Sequence, residues 1–332
     1  MGRIIDALQI AVDSVGLGPI VKAIIDDPST FLQHIFNGLS ISGIYILIAL
    51  GITLVFGLTR LVNFAHGQFL VLGGFLTFTF VDKGISFWLA MPLAALAVGA
   101  MAGVLDLGVF RRNLDRPING LIVTLGLVIA LQAITVEGWS TEQYKIKSPV
   151  SGVWSVDIVG LDDPIRITQE RTLLLAISFA LVLALFLMLG RTDLGRSMRA
   201  VAENRYAASL LGVDVYRAIS ATFMVGTAMA AMGGSLLGII FPFTAYFGNS
   251  FLIKGIAVAM VGGLGSVEGV LVAGLLLGMI ETLGTAYGIH IDMGALDYTF
   301  GPLWRDGYAF VLMVIILLWR PQGLFRGVGG GF

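Results

Sequence analysis

The residues able to do chemistry in this chain are few, and most stand alone in apolar surroundings. Asn63, His66 and Gln68 lie in a short polar gap, LTRLVNFAHGQ, between two apolar runs. Glu281 falls inside a later run with Thr282 and Thr285 close behind it, and Gln132 lies about two-thirds along another. Polar groups in hydrocarbon are costly, so each is a candidate for a translocation path. Each also has a structural reading. Asn63 can cap the following helix while His66 sits at the interface. Glu281 can pair with a neighbouring helix or lie solvated near the outer surface. Gln132 reads as an interhelical hydrogen bond worth about 1 kcal/mol. Lys254, which opens its segment, is expected to snorkel to the outer interface. Glu268 is expected to cap a helix start after Ser266.

Composition excludes several classes. Of 332 residues, 57% are hydrophobic and 12% charged, against about 25% charged in soluble domains. Apolar runs of about 20 residues recur, which predicts a polytopic α-helical membrane protein. A net charge of −1 argues against nucleic acid as a partner. Without cysteine there is no disulfide, thiolate site or thiol nucleophile. The three histidines (His34, His66, His290) are not at metal-ligand spacing. No G-x-x-x-x-G-K-[ST] loop occurs, and GGLGSVEG (262–269) lacks the lysine, so it reads as a tight turn between close-packed half-helices. A membrane-embedded enzyme would need a catalytic constellation that these residues do not supply. Proton coupling would want acids or histidines deep in several spans, and apart from Glu281 and Asp106 the spans are almost free of them.

One polar island interrupts the apolar pattern. Residues 191–217 (RTDLGRSMRAVAENRYAASLLGVDVYR) hold five arginines against three acids. Met198 to Leu211 is rich in helix formers and free of Gly and Pro, so a single short helix is expected there, with Gly212 as its stop. Such a helix fits docking to a soluble partner; a charged loop obeying the positive-inside rule is the plainer reading.

These groups must be positioned by membrane spans at about 35–57, 67–81, 86–109, 119–136, 172–190, 218–240, 251–261, 270–286 and 307–319. Residues 1–33 read as an amphipathic segment with apolar residues at near-helical spacing, 34–326 as one integral membrane domain, and 327–332 as a short tail. No signal peptide is legible. Asp82-Lys83-Gly84 reads as a tight turn, and 226–238, rich in Gly and Ala, as a packing face. The basic stretches 111–117 and 191–217 are expected in the cytoplasm, and the net-acidic loops 137–171 and 287–306 outside. The fold class is therefore all-α, with about eight or nine transmembrane helices, some short or broken. The N-terminus is expected outside and the C-terminus inside.

Four stretches resemble a known family. NFAHGQFLVLGG (63–74), the run from Arg196 to Gly238, VGGLGSVEGVLVAGLLLGMIETL (261–283) and RPQGLF (320–325) are similar, in order and spacing, to the permease subunit of bacterial branched-chain amino-acid ABC importers. The likeness covers about residues 31–326; the longer N-terminus and the 287–306 loop depart from it. Related permeases for urea, amides and other amino acids share much of the pattern, so the substrate stays open. The resemblance implies an inner-membrane subunit that binds no cofactor itself, with ATP and Mg on two cytoplasmic ATPases. It also implies a second similar permease and a periplasmic substrate-binding protein. It makes 198–212 a cytoplasmic coupling helix, with Arg199, Glu203, Asn204, Ala207, Ala208 and Gly212 where ATPases dock. An ion-coupled secondary transporter is the alternative from another class.

Overall fold

The apolar run after Asp27 becomes a single helix, α1 (Pro28–Thr59), and four helices from the second half of the chain close around it in the computed structural model. The structure describes residues 24, 26–111, 117–157, 163–292 and 297–325. Most of the expected N-terminal amphipathic segment, the centre of the basic stretch 111–117 and the 327–332 tail lie outside the described residues.

Asp27 starts α1: its Oδ1 accepts from Thr30 N at 3.0 Å and from Ser29 Oγ at 2.7 Å. Pro28 suits the first turn, where its missing N–H has no intrahelical partner to lose. Residues 40–55 are buried without a break. A helix apolar all round is stable only where neighbours cover every face, so α1 forms the centre.

Small residues decide which helices reach it. α2 (His66–Asp82) follows the polar gap, and α3 (Phe87–Leu105) runs on through a wider π turn, Asp106–Phe110. α4 (Pro117–Trp139) and α5 (Gln169–Arg191) stand at the periphery. After α6 (Asp193–Glu203) and α7 (Arg205–Leu210) come α8 (Val215–Ile240), α9 (Gly248–Gly262), α10 (Val267–Tyr287) and α11 (Gly307–Trp319). α8 carries Gly226, Ala230, Gly234 and Gly238 at a four-residue repeat, which puts small residues on one stripe. A Cβ at Gly234 would overlap the Leu70 carbonyl of α2, and one at Gly226 would stand 2.9 Å from the Gly51 carbonyl oxygen of α1. Gly278 of α10 sits against Ser42 in the same way. The Gly/Ala run is a packing face.

Outward, the pattern inverts. Ile122 and Ile129 on α4, Phe179 on α5, and Ile315 and Trp319 on α11 are exposed. Large apolar side chains on a bundle's outer surface fit a hydrocarbon solvent. Six described helices are long and apolar enough to cross a membrane, and α9 and α11 are shorter apolar ones. With the 17-residue α2 they match the nine expected spans in order.

Three departures concern the connections. The stretch 137–171, expected as a loop, contains the antiparallel hairpin β1 (Val153–Val156) and β2 (Ile165–Thr168), with Trp154 opposite Ile167. A second hairpin, β3 (Ile289–Asp292) and β4 (Asp297–Phe300), follows α10. Both are rich in β-branched and aromatic residues, which fit a pleated strand. The single helix expected at Met198–Leu211 is instead two, α6 and α7, parted at Asn204.

Candidate functional site

Function-bearing groups gather at opposite ends of the bundle. At one end, α6 and α7 form a bent hook. Thr192 Oγ1 caps α6 by accepting from Gly195 N at 3.0 Å. Gly195, Met198 and Val201 turn inward, while Arg196, Arg199 and Glu203 face out. Asn204 then leaves helical geometry (φ −154°, ψ 109°), and its Oδ1 accepts from Ala207 N at 3.0 Å to start α7. An Asn gains more as a cap than inside a helix, which is why one run of helix formers splits in two. Arg205 Nε donates to the Leu58 carbonyl at 2.9 Å, tying the hook to the end of α1. Gly212 closes it at φ +82°.

Of the six residues expected to dock, Arg199, Glu203, Asn204, Ala207 and Gly212 are exposed. Ala208 is not: it is buried at 3% exposure in a cluster with Leu58, Val201 and Ile219, so it anchors the hook and presents no face. The sequence reading passed over three apolar residues here. Tyr206, Leu210 and Leu211 are 74%, 70% and 83% exposed. The sequence did not single them out, since Leu194, Met198, Val201, Val213, Val215 and Tyr216 share the same island. A cavity of ≈ 270 Å³ lies behind the hook, lined by Leu58, Arg199, Glu203 and Gly265 among others.

The gap between α1 and α2 places its polar groups inside. Asn63 Oδ1 accepts from Ala65 N at 3.0 Å and shapes the turn. His66 is fully buried, not at the interface: a Cβ on Gly51 would stand 2.7 Å from its ring, and the Ile48 backbone approaches it. Gln68 is buried too, and its amide makes no hydrogen bond among the described residues. Gln132 is half-buried on α4, and its side chain makes no hydrogen bond there among the described residues, contrary to expectation. The turn expected at GGLGSVEG joins α9 to α10; Gly263 and Gly265 take φ of +101° and +91°. Ser266, rather than Glu268, supplies the cap, its Oγ accepting from Gly269 N at 3.1 Å.

At the other end lies a buried ion network. Lys254 does not snorkel outward: it is 3% exposed, with Nζ 2.9 Å from both Glu281 Oε2 and Asp306 Oδ1. Glu281 is not solvated at a surface either. Its Oε2 also accepts from the Tyr45 hydroxyl at 2.7 Å, and its Oε1 from Arg305 Nε at 2.5 Å. Two cations thus face two carboxylates, as burial of charge requires. Thr285 donates to the Glu281 carbonyl at 2.7 Å on its own helix. Beside the network opens a cavity of ≈ 350 Å³ reached by Arg171, Glu281, Thr285 and Arg305. The hook end and this end are joined by α5, whose 23 residues span about 34 Å, enough to cross a bilayer core.

Comparison with known proteins identifies the family. Residues 34–317 match the family model described as "Branched-chain amino acid transport system / permease component". The chain is 30% identical over 307 residues to the high-affinity branched-chain amino acid transport system permease protein LivH of Salmonella typhimurium, covering 89% of this chain and 95% of that one. It is 30% identical over 309 residues to BraD of Pseudomonas aeruginosa, with the same coverage. Over 310 residues it is 29% identical to LivM of Escherichia coli, covering 85% of this chain and 67% of LivM. The chain is a polytopic helical membrane protein and belongs to the branched-chain amino-acid transport permease family.

Proposed function

We propose that this chain is the membrane-spanning permease subunit of an ATP-driven importer for branched-chain amino acids, working by alternating access. The observation that carries the reading is the hook. It is a compact, capped pair of short helices tied to the end of the central helix by Arg205, and it shows Tyr206, Leu210 and Leu211 to whatever lies beneath. Displacing α7 pulls on Leu58, and through it on the helix that α5, α8, α9 and α10 pack against. Two ATPase subunits carrying ATP and Mg supply that displacement. A second, similar permease completes the pathway, and a substrate-binding protein delivers cargo at the hairpin end. The hook then faces the cytoplasm, with the C-terminus on the same side and the N-terminus opposite. This subunit performs no covalent chemistry.

Ion coupling is the weaker reading on a specific ground. Two acids are buried in spans among the described residues: Glu281 has both carboxylate oxygens engaged by cations, so it is poorly placed to carry a proton, and Asp106 lies at the end of its span and accepts from the Ser220 hydroxyl.

Co-purification tests the proposal. Tagged chain extracted in mild detergent is expected to bring ATPase subunits with it. Gly212→Pro, which cannot hold φ +82°, and Glu203→Arg are expected to release them. A chain that retains no ATPase and drives uptake alone on an ion gradient would sink the reading.

A further inference from the structure

The ion network leaves one cation over. Lys254 and Arg305 are matched by Glu281 and Asp306, but Arg171, in the first turn of α5, makes no hydrogen bond or ion pair among the described residues. It lines the ≈ 350 Å³ cavity that Glu281 and Arg305 also reach. The charges around it are Arg305 and His34 across the cavity and Glu170, its neighbour in sequence. A half-buried guanidinium beside a second cation is stabilised by an anion of planar, two-oxygen geometry. The remaining walls are of two kinds. Glu281 Oε1 has Arg305 as its partner and keeps acceptor capacity, with the Thr285 hydroxyl oxygen nearby. Ile41, Phe241 and Pro302 form an apolar side. The volume lies at the low end of the range for small-molecule sites, about 300–1,000 Å³.

We propose that this cavity is a binding site for the zwitterionic head of the transported amino acid. Arg171 takes the α-carboxylate, Glu281 and Thr285 receive the α-ammonium, and Ile41, Phe241 and Pro302 contact the aliphatic side chain. The proposal rests on the transport reading and adds a place where cargo pauses inside this subunit at the end away from the hook. Arg305, part-exposed and held to the buried Glu281, borders the site and gives way as the ammonium enters.

The chain has no cysteine, so one introduced at the cavity wall is a clean reporter within it. Thr282→Cys in the full, nucleotide-free complex is labelled with a small thiol reagent, and modification of this chain is resolved by gel. L-leucine is expected to slow labelling severalfold. Leucinol, with a hydroxymethyl group in place of the carboxylate, is expected to leave the rate unchanged. Adding Arg171→Gln removes protection by leucine, and Arg171→Lys restores part of it. ATP-driven leucine uptake by the same preparation is read in parallel. Unchanged labelling in a preparation that does take up leucine overturns the site and leaves the transport reading standing. Protection by ligand-free binding protein but not by leucine also overturns it. Absence of uptake by the wild-type complex overturns the transport reading and the site with it.

Discussion

Lys254 Nζ and Glu281 Oε2 stand 2.9 Å apart, on neighbouring helices, with their side chains 3% and 2% exposed. Removing one partner leaves a charge buried without its counter-ion, which costs about 3–5 kcal/mol. Lys254→Met or Glu281→Gln is therefore expected to lower the unfolding midpoint in detergent sharply. The double variant Lys254→Met/Glu281→Met is expected to lose less than either single change. Asp306 and Arg305, both partly exposed, can turn to solvent when their buried partners go. A double variant as unstable as the sum of the singles would contradict this.

The crossing of α2 and α8 is set by backbone contact at Gly234, where a Cβ would overlap the Leu70 carbonyl. Gly234→Ala is expected to destabilise by roughly 1–3 kcal/mol, as overpacking does. Gly126 of α4 has open space at the same position, so Gly126→Ala is expected to be neutral or slightly stabilising. Equal midpoints for the two variants in a thermal scan would refute the close crossing.

Leu211 and Ala208 sit three residues apart with opposite surroundings, 83% and 3% exposed. Leu211→Asp is expected to release the ATPases while the unfolding midpoint holds. Ala208→Asp buries a charge under α1 and α8 and is expected to lower the midpoint itself. ATPase retention measured beside thermal unfolding separates the two effects; loss of stability in the first variant would remove Leu211 from the docking face.

Asp27 lies ahead of the first span, and its carboxyl titrates below its ordinary value of 3.8. The backbone N–H of Thr30 is the largest cause, with the Ser29 hydroxyl adding to it. A depressed folded-state pKa means the cap stabilises α1 above the unfolded value and fades as pH falls through and below about 4. Asp27→Asn keeps a capping oxygen without the titration, so its stability relative to wild type is expected to improve as pH drops. Parallel pH profiles for the two proteins would exclude this role.

Much of the architecture was legible because membrane spans announce themselves locally. Apolar length marked the spans in order, and the small-residue run at 226–238 marked a packing stripe. At the charged island, helix propensity identified helical segments but not the break, because Asn204 acts as a cap only once Ala207 N is placed against its side chain. The hairpins were missed because short β-branched runs in a long polar connection carry weak local signal, and each becomes a strand only when its partner run is brought against it.

The candidate sites divided differently. By itself the sequence determined a polytopic helical membrane protein with a charged island, because hydropathy and charge act over a few neighbouring residues, and the permease class followed from the resemblance of four stretches to a known family. Only the tertiary structure decided that Lys254 turns inward to Glu281, that His66 lies under Gly51, that Ala208 is buried beside exposed Leu211, and that Arg171 shares a cavity with Arg305. Each depends on which helix faces which, and that is settled by close backbone crossings between glycines far apart in the chain.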